Sequence, residues 1–316
     1  MALKIDAAVY SHIGHRANNE DNFYFNGIFM ERAQMNKGGR LHKAVAGDTQ
    51  IYAVCDGMGG AEYGEEASFR AVEALKGFQD NTPHPDNTKA INGMVAALSE
   101  SIDQFSLEKG LRSGDSGSTL AMLVIKDWFF RTVNVGDSRV YLLRDGALRC
   151  VTRDDSVVQE LVDRGDITLD EAWQHPRKNV ITKHLGMPTN GAPLRAAIGE
   201  RQALQTGDRF IICSDGLSDA LHDTMIAEIA GDQTMTAEAA AERLAQTAVS
   251  DTEAAGIASD NITVIVLDII ETNSRDIGLR RMKQWGFFRA ITCAGALASL
   301  CGLVWSAYHL VRLLTR

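Results

Sequence analysis

The chain has 316 residues, 45% of them hydrophobic and 23% charged, which is enough apolar content to bury a full core and too much for a disordered chain. Its formal charge of −9 is uneven, with +6 on residues 275–316 and −15 on the rest. So acidic a body argues against nucleic acid as a partner, because phosphate-backbone binding rests on clustered Lys and Arg.

In chain order, residues 4–10 form a strand-like run with Lys4 as their one positive charge, which predicts no secretory signal. Further strand-like runs fall at 23–29 and 50–55, and helical periodicity follows at 65–78 and 88–107, with a Pro-containing loop at 81–87 between the helices. Strands are predicted at 119–125, 128–135 and 139–143, and Gly136, Asp137 and Ser138 between the last two read as a hairpin turn. Residues 152–190 read as a small helical insertion, with capping boxes at Ser156/Gln159 and Thr168/Glu171. A strand at 209–213, a helix at 237–249 and a strand at 262–269 complete a body spanning 1–272. Strands interrupted by a few long helices predict an α+β layer structure of antiparallel sheets with helices packed outside.

Beyond the body, residues 273–289 form a basic linker, and residues 290–311 contain no Asp, Glu, Lys or Arg. A helix of that length would span a bilayer, which predicts one transmembrane helix. Five basic residues precede it and two follow it, so the expected location is single-pass in the inner or plasma membrane with the body in the cytoplasm. Ala290, Ala294, Ala298, Gly302 and Ser306 form a small-residue stripe that suggests dimerisation in the membrane. The five cysteines, odd in number and without C-x-x-C spacing, suggest neither a disulfide framework nor structural zinc and fit a reducing compartment.

The informative pattern is where the acidic residues fall. Apolar strands run into Asp56-Gly57, Gly136-Asp137 and Asp215-Gly216, while Asp260 opens the last strand. One Asp-Gly alone is a turn signal, but Asp21, Asp56, Asp215 and Asp260 placed together need cations, and all-oxygen ligands select Mg²⁺, Mn²⁺ or Ca²⁺ over zinc or copper. The scattered histidines form no H-E-x-x-H pair, and no Walker-type nucleotide loop is present.

Six ordered motifs carry a family resemblance: Gly14-His-Arg-Ala-Asn-Asn-Glu-Asp21, Asp56-Gly-Met-Gly-Gly60, Gly117-Ser-Thr119, Val135-Gly-Asp-Ser-Arg139, Ser214-Asp-Gly-Leu217 and Asp260-Asn-Ile-Thr263. Over roughly residues 5–270 the chain resembles metal-dependent protein phosphatases of type 2C, in particular bacterial serine/threonine phosphatases. The resemblance implies a four-layer α-β-β-α sandwich, with the insertion at 152–190 as the flap of bacterial members. It implies two Mn²⁺ or Mg²⁺ ions. Asp56 would bridge them, the Gly57 carbonyl would bind one, Asp21, Asp215 and Asp260 would complete the pair, and Glu20 would act through bound water. Asp137, with Asp215, matches a third, weaker metal site, and Arg16 matches the phosphate-binding arginine.

The implied reaction is phosphomonoester hydrolysis by direct attack of a metal-bridging water or hydroxide on phosphorus. The implied substrates are phosphorylated Ser/Thr proteins, those of a cognate serine/threonine kinase. A phosphopeptide-binding scaffold without turnover and a phosphatase for small metabolites are the competing readings. The chain departs from the family in two places. Met58 stands where many eukaryotic members have His, and a thioether donates no proton, which leaves the general acid open. The flap begins Arg153-Asp-Asp-Ser156 where relatives usually show Asp-His-Ser, and Asp155 is expected to add negative charge near the entrance.

Overall fold

The computed structural model describes residues 3–59, 63–188, 191–232 and 234–271. In chain order the strands are β1 (Lys4–His12), β2 (Asp21–Phe25), β3 (Ile28–Phe29), β4 (Gly39–Ala46), β5 (Thr49–Met58), β6 (Gly117–Ser118), β7 (Leu120–Lys126), β8 (Phe129–Val135), β9 (Arg139–Arg144), β10 (Ala147–Cys150), β11 (Ala197–Ile198), β12 (Gln202–Ala203), β13 (Arg209–Cys213) and β14 (Ile262–Glu271). The helices are α1 (Arg32–Met35), α2 (Gly64–Asn81), α3 (Thr88–Glu108), α4 (Val157–Asp163), α5 (Leu169–Trp173), α6 (Asp215–Ser218), α7 (Asp223–Gly231) and α8 (Ala237–Ala254).

Period-two alternation with both faces apolar explains why these strands stack rather than lie open on one side. On β14, Ile265, Leu267 and Ile269 face a core shared with Tyr52 and Val54 of β5 and Leu123 and Ile125 of β7. The opposite face of β14, Ile262, Val264 and Val266, packs with Leu244, Ala245 and Ala248 of α8. The opposite faces of β5 and β7 pack with Ala71, Val72 and Leu75 of α2 and Ile91, Val95 and Leu98 of α3. One sheet runs β10-β9-β13-β14-β1-β4 and the other β11-β8-β7-β5-β2-β3, with all pairings antiparallel. The result is the expected sandwich of two antiparallel sheets flanked by helices.

The structure corrects the sequence reading in several places. Residues 128–143 are not a hairpin: β8 pairs with β7, β11 and β12, whereas β9 pairs with β10 and β13 in the facing sheet. The Gly136–Ser138 turn therefore crosses between sheets. The run 23–29 breaks at Asn26 and Gly27, both at positive φ, into a tight β2–β3 hairpin. β5 continues through Asp56 to Met58 because β6 pairs with Gly57 and Met58.

The single-pass membrane location is also corrected. Among the described residues no helix is long and apolar enough to cross a membrane, since the long ones are amphipathic and lay one face on a sheet. Residues 290–311, with their small-residue stripe, and the linker 273–289 lie outside the described residues.

Candidate active site

Strand register brings the acidic side chains together. Asp21 opens β2 directly opposite Asp56 on β5, so one sheet supplies two adjacent carboxylates. Asp215 follows β13 and Asp260 lies just before β14, its partner strand in the other sheet. Asp137 enters on the crossing between the sheets, and Asp215, Asp21, Asp137 and Asp260 all act electrostatically on Asp56.

Close backbone packing fixes this arrangement. A Cβ on Gly57 would lie 2.0 Å from the Gly64 carbonyl oxygen and 2.7 Å from that of Glu20, and one on Gly64 would lie 2.7 Å from the Glu20 carboxyl carbon. Glycine at 57 is what allows the Glu20 loop, β5 and the start of α2 to meet backbone to backbone. Gly14, at φ +64°, presses the Arg16 loop onto Asp260, where a Cβ would approach the Asp260 carbonyl to 2.0 Å.

A buried hydrogen-bond network supports the carboxylates. Ser214 Oγ donates to Asp21 Oδ2 at 2.7 Å and accepts from Thr263 N at 3.0 Å. Asn19 Nδ2 donates to Ser11 Oγ and to the Met35 carbonyl, and its Oδ1 accepts from Asp21 N. Thr119 Oγ1 accepts from Asp56 N at 3.0 Å and hydrogen-bonds Ser138 Oγ at 2.7 Å, tying Asp56 to the turn that bears Asp137. Asn261 accepts from Glu20 N at 2.8 Å and donates to the carbonyls of Ile13 and Asn18, stapling the whole Gly14–Asp21 loop. The positioning roles of Thr119, Ser214 and Asn261 escaped the sequence reading, although all three lie inside the motifs it singled out.

The carboxyls resist ionising together. Burial first, offset partly by the Ser214 and Thr263 hydrogen bonds, pushes Asp21 up to about 7. Burial and then Asp219 and Asp260 push Asp215 up to about 7, and it shares a hydrogen bond with Asp56. Burial and the neighbouring Asp215 raise both Asp56 and Asp137 well above the usual carboxylate range. Glu20 is raised by burial and by Glu65.

Arg16 Nη2 lies 2.6 Å from Asp260 Oδ2 with over half the arginine side chain exposed, so its guanidinium stands at the rim of the acidic cluster. His15 is held on both ring nitrogens, by Ser259 Oγ at 2.8 Å on Nδ1 and Glu253 at 3.4 Å on Nε2, which anchors the loop. Beside Asp137 and Asp215 opens a cavity of about 170 Å³, lined on its other wall by Leu169, Ala172 and Trp173 from the insertion. Trp173 closes it by donating from Nε1 to the Ser218 carbonyl at 3.1 Å.

Among the described residues no three His, Cys, Asp or Glu side chains already converge on one ligating point. Asp260 is turned to Arg16 and Asp21 Oδ2 to Ser214. The donor set nevertheless suits a hard divalent cation. It is all oxygen, its members repel one another unless countercharge is present, and the buried Asp21 Oδ1 has no hydrogen-bond partner.

The fold is a layered α+β sandwich with a carboxyl-lined cleft at its strand ends. The chain belongs to the protein phosphatase 2C family, whose model matches residues 30–252. It is 35% identical over 257 residues to the serine/threonine protein phosphatase PstP of Mycobacterium tuberculosis, an alignment covering 81% of this chain and 43% of that protein. The chain thus spans less than half the length of this relative. It is 31% identical to the protein phosphatase PhpP of Streptococcus pneumoniae, covering 72% of this chain and 89% of PhpP. The crystal structure of the PstP catalytic domain in complex with two manganese ions superposes with a TM-score of 0.67 at 32% identity, covering 85% of this chain and all of that one.

Proposed function

We propose that this chain is a metal-dependent protein-serine/threonine phosphatase that hydrolyses phosphomonoesters by direct attack of water on phosphorus. The observation that carries this reading is the cluster of Asp21, Asp56, Asp137, Asp215 and Asp260, gathered from both sheets, of which the first four are disfavoured as bare anions. Asp56, Asp21, Asp215 and Asp260, with the Gly57 carbonyl, would hold a pair of Mn²⁺ or Mg²⁺ ions. Glu20 would act through water, and Asp137 with Asp215 would take a third, weaker ion. When bound, such ions supply Lewis-acid activation of water and neutralise phosphate charge.

The chain's own groups do the rest. Arg16, by releasing Asp260, offers its planar fork to the phosphate dianion. Thr119, Ser214 and Asn261 fix the carboxylates so that little reorganisation accompanies the reaction. The Trp173-lined wall over Asp137 and Asp215 gives the peptide flanking the phosphoresidue a surface to lie against. Met58, a thioether, has no proton to give the leaving alkoxide.

Phosphorylated Ser/Thr proteins are the proposed partners, in keeping with a relative named serine/threonine protein phosphatase, and we propose that they are the substrates of a cognate kinase. The test is phosphate release from a phosphothreonine peptide by the full-length protein with Mn²⁺, beside Asp56→Asn. Expected is Mn²⁺-dependent release lost by at least about 100-fold in the variant. Release that is independent of metal, or equal in both proteins, would sink the reading.

A further inference from the structure

Charge is distributed unevenly around the acidic cluster. On the insertion side it is already paired: Asp155 is only 7% exposed and accepts from Lys183 Nζ at 2.9 Å, Asp154 takes Arg139 at 2.7 Å, and Lys178 meets Asp219 at 3.1 Å. Asp155 thus presents no free charge at the entrance, contrary to the expectation from sequence. Away from the insertion, beside Glu20, lies a groove of about 520 Å³ with the opposite character. Arg32 of α1, Arg70 of α2 and Lys109, just beyond α3, line it together with Glu65 and Glu66. An acidic body therefore carries a cationic recess.

The two carboxylates do not consume these cations. Glu66 takes Arg32 Nε and Arg70 Nε, each at 2.8 Å, so one anion serves two guanidiniums. Glu65 acts on Glu20 instead, raising its pKa. Lys109 has no carboxylate partner among the described residues; its Nζ stands 5.6 Å from the centre of the Phe105 ring, and Arg70 Cζ stacks over the same ring at 4.5 Å. Tyr63 meets Phe105 edge-on at 5.9 Å. The cations thus stand on an aromatic floor that orients them.

The groove adjoins the loop that bears Arg16. Asn36 lines the groove, its Oδ1 accepting from Asn19 N at 2.8 Å and its Nδ2 donating to Asn18 Oδ1 at 3.3 Å. Asn18 is two residues from Arg16, so an extended peptide, at about 3.3 Å per residue, reaches from a phosphate at Arg16 to the groove within a few residues. We infer that the groove is a docking subsite for an acidic segment of the phosphoprotein substrate, with Asp or Glu side chains near the phosphoresidue bound by Arg32, Arg70 and Lys109. This rests on the proposed phosphatase activity and gives it a sequence preference. A peptide fits better than a membrane surface, because the cations line a recess with an aromatic floor beside the phosphate loop.

The test assays the full-length protein with Mn²⁺ on phosphothreonine peptides carrying three Glu, three Ala or three Lys, starting three residues from the phosphoresidue on either side. The net charge of −9 by itself favours the lysine peptides. The groove requires the reverse on one side: KM for the glutamate peptide about fivefold below that for the alanine peptide, with kcat little changed and the gap narrowing as salt is raised. Lys109→Glu, at an exposed residue, should abolish that preference and turn it towards the lysine peptide, and Arg70→Gln should reduce it. Equal KM for the glutamate and alanine peptides on both sides, or a preference that survives both substitutions, overturns the inference. So does Lys109-dependent binding of phosphatidylserine vesicles with no discrimination among the peptides. Fluorescence anisotropy of the glutamate peptide without its phosphate keeps the two claims apart. Binding that Lys109→Glu weakens, in a protein that releases no phosphate, sinks the phosphatase reading and leaves the groove, whereas turnover without preference sinks the groove alone.

Discussion

Asp215 shows what one residue in the cluster does to the rest of the protein. A carboxyl whose pKa in the folded state lies above its unfolded value keeps a proton that the unfolded chain would release. Its contribution to stability is then complete below the ordinary carboxylate pKa of about 4 and is lost as pH rises towards its folded value. With Asp21 and Asp215 both pushed up to about 7, the metal-free protein is expected to melt at progressively lower temperature from about pH 5 to pH 7. Asp215→Asn should flatten that decline and stabilise the chelated protein near neutrality by about 1–3 kcal/mol, as read from thermal unfolding in EDTA. An equally steep decline in the variant would refute the assignment. At this scale Asp56, Asp137 and Asp215 were legible in the sequence, because a carboxylate beside glycine at the end of an apolar run is a local pattern, whereas Asp21 and Asp260, with no glycine neighbour, stand out only within the longer motifs. The supporting bonds were not: Asn261 reaches back to Glu20 across most of the chain, and Ser214 reaches Asp21.

At the scale of elements, the strands with two apolar faces were readable and the edge strands were not. β4 at one sheet margin and β10 at the other are largely exposed, and such strands carry Lys, Arg and His that mask the alternation. The false hairpin at 136–138 has a different cause. A Gly-Asp-Ser turn reads the same whether the chain returns to its neighbour or steps to the facing sheet, and only the long-range pairing of β9 with β13 decides. The insertion's caps were local: a complete Thr168/Glu171 box opens α5, whereas at α4 only the Ser156 half of the expected box forms, the Gln159 side chain donating to Asp163 instead. Thr168→Ala should therefore loosen α5 by about 1 kcal/mol. The change should be seen as faster hydrogen exchange at 169–173 and a raised KM for peptide substrate, with the global melting midpoint almost unmoved. A lowered global midpoint would mean that the insertion folds with the body rather than upon it.

Across the whole body, three apolar layers separate and cover the two sheets, one between them and one under each helix pair. Among the described residues no disulfide joins them: Cys55 and Cys213 are buried and free, and Cys150 is free. Ligands that bind the folded state alone raise its stability by mass action. Mn²⁺ at about 100 times its Kd should add about 2.7 kcal/mol, which for a domain of this size is a melting shift of roughly 5–10 °C. Differential scanning calorimetry with and without EDTA checks the shift, and Asp56→Asn should abolish it.

The register that sets Asp21 beside Asp56 in one sheet, and Asp215 and Asp260 at neighbouring strands of the other, gives the cleft a mechanical character. Ions shared between the two pairs would act as a clasp across the seam of the sandwich, resisting separation of its layers as a cross-link does. Loss of the clasp should quicken the opening of the sandwich before its layers melt, so that chelation is expected to shorten the lifetime of the fold.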